Sequence, residues 1–150
     1  MRLLCLVFFV LANLCTATLF AQIEDGTIAY IRDVNFQIIN AAVSRAGVVK
    51  LTLSNKQVVE QAQLSDSHLR ELVDLVKGLQ GVELVRQQRI RLCQTFVATT
   101  NPNLFIQDQD KFRSVLTGQG CEHNFIVEPA NASAKAQAEK IVSIIGNYIN

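Results

Sequence analysis

The order of elements predicts an α+β fold: one small domain in which a mainly antiparallel sheet is packed by two helices, at about residues 65–77 and 133–149. Three observations carry this. Short runs of alternating apolar and polar residues recur before residue 62 and again between 104 and 127, and period-two alternation belongs to half-buried strands. A stripe of period 3.6 follows Ser65. A second apolar face, made by Ala138, Ile141, Val142, Ile145 and Tyr148, follows Ser133.

In chain order, the first extended segments are residues 27–31 and 34–38; in the second, Val34, Phe36 and Ile38 share a face. A turn at Ser44-Arg45-Ala46-Gly47 leads to a strand in which Val49, Leu51 and Leu53 alternate with Lys50 and Thr52. Ser54-Asn55-Lys56 then turns the chain into a hairpin partner at residues 57–62. The first helix has Ser65 as N-cap, with Leu64 placed to staple against Leu69. Asp66 and Lys77 suit the two ends of its dipole. Leu69, Leu72, Val73 and Val76 form its buried stripe, and Gly78 is expected to end it. Further strands are expected at 82–85, 90–97, 104–106, 111–116 and 121–127, with Asn101-Pro102-Asn103 and Gly118-Gln119-Gly120 as breaks.

The first residues read as a targeting segment. Met1-Arg2 precedes an apolar run over 3–14 broken only by Asn13, and small residues follow up to Ala21. That is the pattern of a secretory signal peptide, with cleavage expected after Ala21 and Ala17 as the alternative. An anchor helix is disfavoured by Thr16, Thr18 and the early polar break. The expected organisation is a signal over 1–21 and a single globular domain over 22–150, secreted and without stable membrane insertion after cleavage.

The segment 1–21 carries Arg2 and no acid, so the remainder has thirteen residues of each sign. A neutral surface gives no electrostatic drive towards nucleic acid or anionic lipid. Loss of Cys5 and Cys15 leaves Cys93 and Cys121, which an oxidising compartment is expected to join. Asn131-Ala132-Ser133 is an acceptor sequon for N-linked sugar in a eukaryotic secretory pathway.

Catalytic patterns are missing from the sequence. No G-x-S-x-G, H-E-x-x-H, P-loop or dinucleotide fingerprint occurs, and His68 and His123 lie far from any recognisable nucleophile or ligand set. His68 is expected to be an exposed residue of the first helical turn. Cys93, Cys121 and His123 are too few to hold zinc. Asp108-Gln109-Asp110 continues into Lys111-Phe112-Arg113, not into the glycine and glutamate of a calcium loop. No metal or cofactor is therefore expected. Arg86, Arg89 and Arg91 form the one basic cluster, suited to reading an anion or to protecting a sheet edge. Gln57-Val58-Val59 begins like the Q-x-V-x-G loop of cystatins, but Gln61 replaces the glycine and the helix follows the motif where cystatins place it before. No family is assigned on it.

The function expected from these readings is that of a secreted, non-catalytic binding protein, a ligand-recognition or inhibitor-like module. Its partner is an extracellular protein or small ligand. The binding loop is expected at Asn101, Asn103, Asp108 and Asp110, with Phe105 and Phe112 as apolar anchors or core residues. The alternative is a structural or storage subunit of an extracellular assembly, of matrix or egg-fluid type, for which a homo-oligomer is the natural form. A small secreted hydrolase ranks third.

Overall fold

The computed structural model describes residues 26–32, 34, 38–53, 55, 57–88, 103–117 and 125–149. These form eight strands and two helices: β1 (Thr27–Arg32), β2 (Ile38–Ser44), β3 (Val48–Leu53), β4 (Val58–Gln63), α1 (Asp66–Leu79), β5 (Leu84–Gln88), β6 (Asn103–Asp108), β7 (Lys111–Leu116), β8 (Phe125–Pro129) and α2 (Ala132–Gly146). The fold is α+β, as the sequence predicts. Six strands make one antiparallel sheet in the order β4-β3-β2-β1-β6-β7, and β5 pairs with β8 in a second, two-stranded sheet. The strands expected at 111–116, 104–106 and 27–31 fall on β7, β6 and β1. The expected strand at 90–97 lies outside the described residues, as do Cys93, Cys121 and the segment 1–21.

The meander β1-β2-β3-β4 follows from tight turns. Ser44 accepts from Gly47 N–H through its carbonyl and from Val48 N–H through Oγ. Gly47 has φ +79°, and a Cβ there would come within 2.9 Å of the Gln63 amide and 3.1 Å of Leu69. Only glycine meets both demands. Leu64, 2% exposed, then carries the chain out of β4 into α1.

The helix α1 starts as predicted: Ser65 is the N-cap, and its side chain accepts from His68 N–H. Its end differs from expectation. Gly78 remains helical, and the chain leaves the helix two residues later through Gly81, which has φ +70°. The reason is packing, because Leu79 is fully buried and belongs to the core stripe with Leu72 and Val76. Asn131 caps α2 by accepting from Ala134 N–H at 2.7 Å.

Both helices lie against the main core. Ala29, Ile31, Ala41, Val43, Val49, Leu51, Leu104, Ile106 and Val115 supply the sheet side, while Leu72, Val76, Leu79, Ala138, Ile141 and Ile145 supply the helix side. Each aliphatic side chain buried in this way stabilises the fold by roughly 1.5–3 kcal/mol. The small residues Ala29 and Ala41 sit at 0% exposure in the middle of this layer. No helix among the described residues is long and apolar enough to cross a membrane.

Candidate functional site

The residues that alternate with the core on β1, β2, β3, β6 and β7 make the opposite face of the sheet, on which no helix among the described residues packs. One rung runs Lys50, Ala42, Tyr30, Phe105 and Ser114; the next runs Thr52, Asn40, Arg32 and Asn103. Gln107 and Phe112 are paired across the hairpin on the other side of the first rung. Period two alone sends these side chains away from the aliphatic layer.

At the centre of this face is an aromatic cluster. The rings of Tyr30 and Phe105 stack with centroids 4.6 Å apart and an interplanar angle of 6°. Phe112 leans against Tyr30 at 5.2 Å and 60°. Aromatic cross-strand pairs of this kind stabilise a sheet by about 0.5–1.5 kcal/mol beyond the area they bury. Tyr30 is 9% exposed, while Phe105 and Phe112 remain half-exposed. Burial raises the Tyr30 phenol above its ordinary value, and the nearby positive charge of Arg32 offsets part of that effect. Arg32 is exposed, and Asn40 Oδ1 is buried with no hydrogen-bond partner. The face thus combines apolar rings, a guanidinium and amide or hydroxyl groups.

The described residues of the predicted binding loop lie on the β6–β7 hairpin and its turn. Asn103 is the first residue of β6 and only 5% exposed. The Asp108 carboxylate accepts from Gly81 N–H at 3.2 Å and pairs with Arg113 Nη1 at 3.2 Å. Arg113 Nη2 donates in turn to the Val82 carbonyl, and Gln80 Nε2 donates to the Gln107 carbonyl at 3.0 Å. Asp108 and Arg113 therefore fasten the β6–β7 hairpin to the turn that follows α1. Asp110 alone stays exposed, beside Gln109 in a left-handed turn with φ 56°. Asn101 lies outside the described residues.

The basic cluster is only partly visible. Arg86 is exposed on β5 with its guanidinium 4.0 Å above the Phe125 ring, while Arg89 and Arg91 lie outside the described residues. That contact is worth about 0.5–1 kcal/mol at an exposed site. Asn131 is exposed; its Oδ1 serves the helix cap. His68 is half-buried and not exposed as expected, because its ring meets Tyr148. His123 is outside the described residues. Among the described residues no three His, Cys, Asp or Glu side chains converge to hold a metal.

A shallow groove of about 510 Å³ also runs between the helices, lined by Ser67, Glu71, Asp74, Leu75, Gly78 and Gln137. Glu71 is ion-paired there with Lys140, and Gln137 Oε1 is buried without a hydrogen bond where it packs on Gly78. The groove is the seam of the helix pair and contains no base–nucleophile arrangement. Tyr30 and Arg32 were missed by the sequence reading, although the Tyr30/Arg32 alternation with Ala29 and Ile31 is the signal that separates the two faces. No family model matches the chain, and no curated protein or solved structure does.

Proposed function

We propose that the mature chain is a secreted, non-catalytic binding protein that recognises its partner with the sheet face around Tyr30, Phe105 and Phe112. One observation carries the reading: an aromatic cluster stands on the sheet face that no described helix packs, with Arg32 and a row of amides and hydroxyls beside it. Half-exposed rings next to a cation offer apolar contact and an anchor for a carboxylate or carbonyl. The signal segment, the Cys93–Cys121 bridge and a glycan on Asn131 complete the proposal for an extracellular setting.

Ser114 shares the Tyr30 rung and is half-buried on that face. Ser114→Arg should abolish partner capture from the extracellular fluid that surrounds the protein, with the melting temperature kept within a few degrees. Equal capture by wild type and variant would remove the face from the proposal. Turnover of any substrate in protease and glycan panels, lost on changing His68 or His123, would replace binding by catalysis.

The second reading, a structural or storage subunit, has its own observation. Among the described residues β4 is one of the two edge strands of the larger sheet, and Val58 on it is 57% exposed. Open strand edges pair with other chains unless protected. Light scattering separates the two: a stable high-order oligomer dispersed by Val58→Lys favours the subunit, and a monomer favours the binding protein.

A further inference from the structure

The β6–β7 hairpin reaches past the strand that supports it. β1 pairs with β6 from Arg32↔Asn103 to Ala29↔Ile106, and the hairpin continues beyond that ladder through the pairs Gln107↔Phe112 and Asp108↔Lys111. The two phenylalanines that meet Tyr30 are therefore held in different ways. Phe105 sits opposite Tyr30 within the β1–β6 ladder. Phe112 belongs to the overhang, and the β1 ladder does not fix its backbone.

What grips the overhang lies largely on the other side of the sheet. Asp108 and Arg113 alternate with Gln107 and Phe112, so they stand on the covered side. The Asp108 carboxylate accepts from Gly81 N–H and pairs with Arg113 Nη1, each at 3.2 Å, and Arg113 Nη2 donates to the Val82 carbonyl. Bonds of this kind, with one or both partners charged, are roughly twice as strong as neutral ones. Gln107 adds two more contacts: its carbonyl accepts from Gln80 Nε2 at 3.0 Å and its side chain from Arg45 Nη2 at 3.3 Å. At the tip, Gln109 is the one left-handed residue other than glycine among the described residues. Such a conformation persists where surrounding contacts over-determine it.

We propose that Asp108 and Arg113 are positioning residues of the aromatic face: acting from the covered side, they set where Phe112 stands against Tyr30. The inference rests on the reading of that face as the binding surface. Arg113 and Phe112 are chain neighbours with side chains on opposite sides of the strand. Anchoring the guanidinium to Val82 and Asp108 thus fixes the backbone from which the ring projects. The third ring of the cluster is ordered by folding, and a partner does not have to order it on binding.

Ring-to-ring NOE cross-peaks in the mature protein test this without any partner, so the outcome does not depend on whether the face binds. Wild type should show Tyr30 in contact with both Phe105 and Phe112. Arg113→Ala should keep the Tyr30–Phe105 contact and lose most of the Tyr30–Phe112 contact. Asp108→Asn, which leaves an acceptor for Gly81 N–H, should weaken the same contact and spare the other; it carries the test if Arg113→Ala does not fold. Ile106→Val thins the core on the same hairpin and should lower the melting temperature while leaving both contacts in place. A Tyr30–Phe112 contact unchanged in the Arg113 and Asp108 variants, or lost equally in Ile106→Val, would overturn the positioning role.

Discussion

Leu104 and Phe105 are neighbours on β6, yet they belong to different environments. Leu104 is fully buried among aliphatic side chains under the helices, while Phe105 stacks on Tyr30 on the open face. The covered face is built from Ile, Val, Leu and Ala. The open face mixes aromatic rings with Arg32, Asn40, Thr52 and Ser114. The covered side carries the stability that closes the fold, while the other side leaves Arg32 exposed and Phe105, Phe112, Thr52 and Ser114 half-buried. Aromatic residues there fill a sheet surface on which no described helix packs.

That division can be broken most strongly from the covered side. Leu104→Ala and Leu72→Ala should each destabilise by about 2–5 kcal/mol in a denaturant titration, because both side chains are fully buried. Phe105→Ala should cost less than half as much as Leu104→Ala. Equal costs would mean that the two faces are packed alike.

The proposed Cys93–Cys121 disulfide gives the next largest expected effect. Gln88 and Phe125 are opposite each other on β5 and β8, and strands in a ladder are about 5 Å apart. Cys93 follows Gln88 by five residues and Cys121 precedes Phe125 by four, so the proposed bridge lies close in sequence to that rung. Reduction should lower stability by roughly 3–4 kcal/mol on the chain-entropy model. Intact mass after alkylation without reductant should show no labelled thiol in the mature protein.

Smaller effects sharpen the comparison. Arg113→Ala should cost about 1–2 kcal/mol, since it removes the guanidinium that pairs with the Asp108 carboxylate and donates to the Val82 carbonyl. Glu71→Ala should change stability by no more than about half a kcal/mol, as its pair with Lys140 is largely exposed. For Tyr30 the sign follows from burial. The folded protein disfavours the phenolate, so the raised folded value gives a contribution that is complete below about pH 10 and is lost as the pH rises through the folded value. Tyr30→Phe should flatten that alkaline decline in melting temperature.

Much of this was legible in the sequence, for identifiable reasons. The Ser65 cap, the Leu72 and Val76 stripe and the strand at 111–116 depend on local chemistry, and the structure places them as read. β2 was harder. The alternation of Val34, Phe36 and Ile38 marked a strand over 34–38, of which 35–37 lie outside the described residues, while the ladder of β2 runs Ile38–Ser44 through Asn40, Ala41 and Ala42. Those residues have weak strand preference, and their place is set by pairing with β1 and β3. The role of Asp108 was hidden because its partners Gly81 and Arg113 meet it only in the folded chain. The face taken by Phe105 and Phe112 was hidden too, since period two separates the sides of a strand without saying which one the helices cover.

Asn131 has a consequence for how the sugar is studied. Its Oδ1 holds the first turn of α2 through Ala134 N–H, while a glycan would be joined to the other atom of the same amide, Nδ2. On the proposal of a glycan there, one side chain would be both the start of a helix and an attachment point, through two different atoms. Removing the sugar by Asn131→Gln also removes the cap, at a cost of about 1 kcal/mol, and any loss of secretion would then have two causes. Ser133→Ala abolishes the sequon from an exposed helical position and leaves the cap intact. Paired side by side, the two variants separate what the carbohydrate contributes from what the asparagine contributes.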